Sequence, residues 1–108
     1  YKHYAPKADV TLLNGTFAQF KAYVDAHKDE NPSCLCFTGE SAKLDVPCVE
    51  YGREGDGADQ AKHIFRSLRA LDEQGDGVVY ARCPQKDGLS MAVYNLLIRA
   101  AAFRVIDL

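Results

Sequence analysis

A histidine beside a tyrosine, His3-Tyr4, flanked by Lys2 and Lys7 and followed by Ala5-Pro6, is the most chemically capable group of side chains in the chain. An imidazole can donate to a phosphate oxygen, a phenol can stack or hydrogen-bond, and proline narrows the conformations between them. From the sequence alone, the expected reading is an arm whose aromatic rings dock on the domain surface. A second place to look for anion chemistry is Tyr51-Gly52-Arg53-Glu54-Gly55-Asp56-Gly57. A dinucleotide cradle needs G-x-G-x-x-G directly after a strand, but Gln60 stands where the third glycine belongs, and Glu54 and Asp56 would repel a pyrophosphate. This stretch reads as a flexible connection between a strand and a helix.

The other candidates are weaker. His27 and His63 fall inside predicted helices with no cysteine or carboxylate constellation beside them, and they are expected to be structural or surface residues. Cys34 and Cys36 are two apart on a predicted strand and so share a face, while Cys48 and Cys83 lie at or beside other strands. None has CxxC spacing, so small buried thiols are expected ahead of a zinc site or a disulfide. No Ser/His/Asp, metal-binding or paired-carboxylate arrangement stands out, so neither a catalytic residue nor a metal site is expected in the chain.

Composition limits the setting. A chain of 108 residues with 47% hydrophobic content is one domain, too small for a core plus a separate catalytic lobe. Thirteen basic and 15 acidic residues are interspersed for a net charge of −2, which leaves no basic stripe for a phosphate backbone. Direct nucleic-acid binding is not expected. No run of 18 apolar residues exists and the first residues do not resemble a signal peptide, so the expectation is a soluble, cytoplasmic domain without membrane contact.

The elements that must position these residues follow from periodicity. Pro6 favours an extended arm, after which residues 9–13 form a strand ended by Asn14-Gly15. Thr16 can cap a helix carrying Phe17, Phe20 and Val24, stopped by Asn31-Pro32. Residues 33–37 and 48–51 read as strands joined by an irregular connection. A helix over about 58–73 buries Ala61, Ile64, Phe65, Leu68 and Leu71 and ends at Gly75. The short apolar run Val78-Val79-Tyr80-Ala81 is a buried strand, and Leu89, Ala92, Val93, Leu96, Leu97, Ala100 and Ala101 mark the apolar face of the next helix, among which Asn95 is expected as a buried amide. Residues 103–108 complete the set as a short strand. The fold class is α/β: a Rossmann-like three-layer α/β/α arrangement with a mainly parallel sheet of about five strands and about three helices, of undetermined strand order.

Three stretches carry a resemblance. Tyr1-Lys2-His3-Tyr4-Ala5-Pro6-Lys7 resembles the end of the linker SPGMxYxHYAPK of the two-domain threonylcarbamoyl-AMP synthases of the YrdC/Sua type, formerly described as putative translation factors. The pattern Ala61, Phe65, Leu68, Arg69, Leu71, Asp72 is similar to the family helix A-x-x-L-F-x-x-L-R-x-L-D. Gly88, Leu89, Ala92, Val93, Asn95 and Leu97 match the family's GLGLAVMNRL, with departures at Ser90, Met91, Tyr94 and Leu96. The three occur in family order and together cover the chain.

The resemblance implies that residues 1–8 end an interdomain linker, that 9–108 are a C-terminal accessory domain, and that a catalytic YrdC-like domain lies upstream. It implies an intact enzyme that makes threonylcarbamoyl-adenylate from L-threonine, bicarbonate and ATP, with magnesium, for the threonylcarbamoyladenosine modification of tRNA. Tyr1, Lys2, His3, Tyr4, Ala5 and Pro6 would then be lid contacts to nucleotide, and the fragment alone would be inactive, without a cofactor of its own. The alternative is a free-standing Rossmann-like module that binds a small ligand at its strand ends or docks a protein. A receiver domain is disfavoured, because Leu12-Leu13-Asn14 lacks the acidic pair that would hold magnesium.

Overall fold

The computed structural model describes residues 6–108. Their order is β1 (Asp9–Asn14), α1 (Phe17–Ala26), β2 (Ser33–Cys36), β3 (Cys48–Glu50), α2 (Gly57–Glu73), β4 (Val78–Arg82), α3 (Gly88–Ala100) and β5 (Val105–Asp107), with short 3-10 turns at Lys28–Glu30 and Ser41–Lys43. All five strands are parallel, in the order β3-β2-β4-β1-β5. The fourth strand in the chain, β4, therefore sits at the centre, between β2 and β1.

This order dictates the layers. The connection from β1 to β2 crosses the sheet in one direction, whereas those from β3 to β4 and from β4 to β5 cross in the other. Right-handed crossovers then put α1 on one face and α2 with α3 on the opposite face. The side chains agree. Val10, Leu12, Leu35, Phe37, Val79 and Ala81 pack with Ile64, Leu68 and Leu71 of α2 and Val93 and Leu97 of α3. Their neighbours Leu13, Cys34, Cys36 and Tyr80 pack with Phe20 and Val24 of α1. Alternation along each strand thus feeds two cores, as a sheet covered on both faces requires.

Local chemistry sets the helix ends. Thr16 caps α1 in a reciprocal box: its hydroxyl accepts from the Gln19 N–H at 3.2 Å and the Gln19 side chain accepts from the Thr16 N–H at 2.9 Å. Asp56 caps α2 through the Asp59 N–H. Gly75, at φ +94°, ends it in the left-handed region.

Two expectations about burial need correction. Ala61, Leu89 and Ala92 are exposed, Phe65 retains 38% of its surface, and Asn95 is exposed rather than a buried amide. The cause is the pairing of α2 with α3 side by side on one face. Each helix turns part of its apolar stripe toward the gap between them, where Ala61, Phe65, Ala92, Asn95, Leu96 and Arg99 line an open groove of about 490 Å³.

Candidate functional site

The described chain enters the domain at the amino ends of the strands. Pro6 is half-buried, Ala8 is buried among the residues under α2 and α3, the Lys7 N–H donates to Asp72 Oδ1 at 3.3 Å, and the Asp9 N–H donates to the Gly77 carbonyl at 2.7 Å. Backbone bonds and one small side chain therefore root the arm. Of the candidate lid residues, Tyr1, Lys2, His3, Tyr4 and Ala5 lie outside the described residues, and Pro6 alone can be placed. Asp72 accepts from the arm's backbone, and Arg69 is exposed.

At the opposite edge lies the position where open α/β sheets usually take ligands. The connection leaving β2 goes to β3 on one side, and the connection leaving the adjacent β4 goes to β5 on the other, which opens a crevice between their carboxyl ends. Here that crevice is filled by the protein's own charges. Arg82, the last residue of β4, is 1% exposed and rests with its guanidinium carbon 4.9 Å from the ring centre of Phe37. Its Nε donates to both oxygens of Glu40 at 3.2 and 3.3 Å, one terminal nitrogen donates to the Gly15 carbonyl at 2.7 Å, and the other donates to Glu54 at 2.8 Å. A buried guanidinium is tolerated only when paired and hydrogen-bonded in this way.

The groups around Arg82 are equally occupied. Glu40 Oε1 also accepts from the Phe37 N–H at 2.9 Å, so the carboxylate that balances Arg82 closes the turn after β2 as well. Tyr51 is fully buried and its hydroxyl donates to the Arg82 carbonyl at 2.7 Å. Burial pushes this phenol well above its ordinary range, so it serves as a donor and not as a base. Glu50 accepts from the Ser41 hydroxyl and from the N–H groups of Ser41 and Gly39, and these bonds hold its carboxyl below the usual range.

The glycine-rich loop after β3 now has a structural account. Glu54 reaches Arg82, Asp56 caps α2 and pairs with Arg53, and Gly52, at φ +114°, allows the backbone to pass Gln60. A Cβ at Gly52 would stand 2.9 Å from Gln60 Cα and N. The acidic residues that argued against a pyrophosphate cradle are engaged with the protein's own groups, Glu54 with Arg82 and Asp56 with Arg53 and the Asp59 N–H.

His27 and His63, expected as structural or surface residues, each bring Nδ1 against the carbonyl one turn back, Tyr23 at 2.7 Å and Asp59 at 2.8 Å; His27 also stacks on Tyr23, and His63 Nδ1 lies 3.4 Å from the Asp59 carboxylate. Among the described residues, no group of three or more His, Cys, Asp or Glu side chains is arranged to hold a metal ion, and no helix is long and apolar enough to cross a membrane. Sequence reasoning missed Arg82 and Glu40. A charged residue closing an otherwise apolar central strand was the available signal for the first, but its partner lies 42 residues earlier in an irregular connection.

Comparison with known proteins places this arrangement. A family model described as the C-terminal domain of threonylcarbamoyl-AMP synthase matches residues 1–102. The threonylcarbamoyl-AMP synthase of Pyrococcus abyssi (strain GE5 / Orsay) is 31% identical across 98% of the chain, and that of Bacillus subtilis (strain 168) is 26% identical across 98%. The chain spans about a third of the length of these relatives, 32% in each case. Two solved structures share the fold. One is P. abyssi Sua5 complexed with L-threonine, with a TM-score of 0.80 at 24% identity, covering 100% of this chain and 32% of that one. The other is a P. abyssi Sua5 variant in which alanine replaces a histidine and the tyrosine next to it, with a TM-score of 0.78 at 24% identity, covering 95% and 30%. With nearly its whole length matched in sequence and its five-stranded parallel sheet shared with the solved structures, the chain belongs to the family of threonylcarbamoyl-AMP synthase C-terminal domains.

Proposed function

We propose that the domain is the accessory part of an enzyme that makes threonylcarbamoyl-adenylate from L-threonine, bicarbonate and ATP for tRNA modification. Residues 9–108 are the accessory domain, residues 1–8 are the end of a linker, and the chemistry belongs to a catalytic domain upstream. The observation that carries this reading is the family match over residues 1–102. Two features of the fold support it: the crevice at the strand carboxyl ends is closed by Arg82 and its partners, and the arm leaves from the other edge. The magnesium ion that accompanies ATP would be held by the catalytic domain.

In this reading His3 and Tyr4, with Tyr1, Lys2, Ala5 and Pro6, act as a lid over bound nucleotide. A histidine and tyrosine on a leash fixed at Ala8 can reach an adjoining site and leave it again, which excludes water from a labile acyl-adenylate while allowing release. The adjacent His-Tyr pair altered in the P. abyssi variant is the same pair of residue types.

The test is pyrophosphate release from ATP with threonine and bicarbonate, comparing the longer protein that contains this chain with the 108-residue chain. Activity is expected in the longer protein alone. In that protein, His3→Ala with Tyr4→Ala should lower turnover on the order of ten- to a hundredfold, as loss of a positioning element does. Unchanged kinetics would remove the lid role but leave the accessory assignment standing.

A further inference from the structure

All four cysteines are free, and three of them, Cys34, Cys36 and Cys48, gather on the α1 side of the sheet. The parallel register sets Cys34 of β2 directly opposite Cys48 of β3. Their Cβ atoms therefore leave the same face of neighbouring strands. Strands in a sheet lie about 4.8 Å apart, within the Cα separation of roughly 4.4–6.8 Å found across disulfides. Cys83 stands apart, after β4, under burial that raises its thiol.

Position divides the three. Cys34 and Cys36 are fully buried, whereas Cys48 is half-buried on an edge strand of three residues with no neighbour beyond it. The neighbouring thiols of Cys34 and Cys36 favour the Cys48 thiolate, and Cys48 in turn pushes their own thiols up. Burial, the Glu50 carboxylate and the hydrogen bond that the Cys48 thiol donates to the Val46 carbonyl at 3.1 Å oppose this, while burial and the Glu40 carboxylate help push both Cys34 and Cys36 up. The result is one half-buried cysteine at the sheet edge backed by two fully buried ones.

We propose that Cys48 is a peroxide-reactive thiol whose oxidised form is resolved by Cys34 into a disulfide joining β3 to β2. In the first step Cys48 sulfur attacks one peroxide oxygen and the O–O bond breaks. Cys48 becomes a sulfenic acid, and the other oxygen leaves as water with the thiol proton. In the second, Cys34 sulfur attacks Cys48 sulfur, the S–O bond breaks, and hydroxide takes the Cys34 proton to leave as a second water. Two thiols lose two electrons and one hydrogen peroxide is reduced to two waters. The edge position allows the small approach the bond requires, and β3 runs straight into Tyr51, so the staple would fix the strand that carries the hydroxyl donor to Arg82.

The test uses hydrogen peroxide on the intact protein, iodoacetamide blocking, and tryptic digestion without reductant. Cleavage after Lys28, Lys43 and Arg53 puts Cys34 and Cys36 in residues 29–43 and Cys48 in residues 44–53. One cross-linked species, two hydrogens lighter than the summed peptides once the carbamidomethyl group on Cys36 is counted, and released by reductant, is expected. Cys34→Ser should abolish it and leave a dimedone-reactive sulfenic acid at Cys48, whereas Cys36→Ser should retain it. A cross-link that persists in Cys34→Ser, or none at all in the unaltered protein, overturns the proposal. Native alkylation provides a check without variants: Cys48 should react at least about tenfold faster than Cys34, and equal or reversed rates also overturn it.

Discussion

The two edges of the sheet solve opposite problems. At the carboxyl edge, Arg82, Glu40, Glu54 and the Gly15 carbonyl are drawn into one dense set of polar contacts under Phe37, with Tyr51 fixed on the backbone of the same strand. At the amino edge, the incoming arm is tied down by backbone bonds to Asp72 and Gly77, beside a shallow hollow lined by Gly75, Asp76 and Gly77. The first edge resists change because Arg82 and Glu40 are desolvated, so losing either leaves the other's charge in low dielectric. The second tolerates movement, since its contacts are few and lie near water. The Arg82 set supplies rigidity at the edge where relatives of the general fold place ligands, opposite the edge at which the N–H groups of Lys7 and Asp9 are bound.

The comparison breaks most directly at Arg82. Arg82→Met keeps much of the side chain's bulk but strands Glu40 and the Gly15 carbonyl, and removing one member of a buried pair costs about 3–5 kcal/mol. That is a large part of the roughly 5–15 kcal/mol available to such a domain. Urea unfolding should therefore show a much lower midpoint. A loss under about 1 kcal/mol, the range of exposed pairs, would mean the carboxyl edge is no more rigid than the amino edge.

A pair of glycines sharpens the contrast, because the same substitution can be made at each edge. Gly52→Ala meets both a left-handed backbone and Gln60 backbone atoms at 2.9 Å, whereas Gly75→Ala, also at positive φ, meets nothing within 4 Å. Strain alone costs roughly 1–2 kcal/mol in the left-handed region. Gly75→Ala should stay in that range, and Gly52→Ala should exceed it, since α2 would have to shift and carry Asp59 away from the Arg53 N–H. Equal losses in urea midpoints would show that α2 yields freely and that the loop after β3 is not held.

Much of this was legible in the sequence because it is periodic. Short apolar runs such as Val10–Leu13 and Val78–Ala81 and helical spacing at Ile64, Leu68 and Leu71 place five strands and three helices near their observed bounds. Strand order was not legible: nothing local to Val78–Arg82 says that it inserts between β1 and β2, because that follows from how two cores are divided between the faces. Exposure at Ala61, Phe65 and Ala92 was misjudged for a related reason. Periodicity reports which residues share a helix face, and the gap between two neighbouring helices decides how much of that face is covered. The Arg82 set was hidden by sequence distance, its partners being drawn from residues 15, 40 and 54.

The smallest expected effect separates the two carboxylates that share Arg82. Glu40 is almost wholly buried and also binds the Phe37 N–H, while the side chain of Glu54 is 65% exposed on a loop. Glu54→Gln keeps an oxygen that can accept from the guanidinium and removes only a charge that water already screens. The loss should be below about 1 kcal/mol. Glu40→Gln, measured beside it, removes the countercharge from the buried side and should cost several-fold more. If the two variants lose equal stability, the loop after β3 belongs to the rigid edge as fully as the core does, and the boundary between fixed and movable parts lies farther out than the hydrogen bonds of Glu40 indicate.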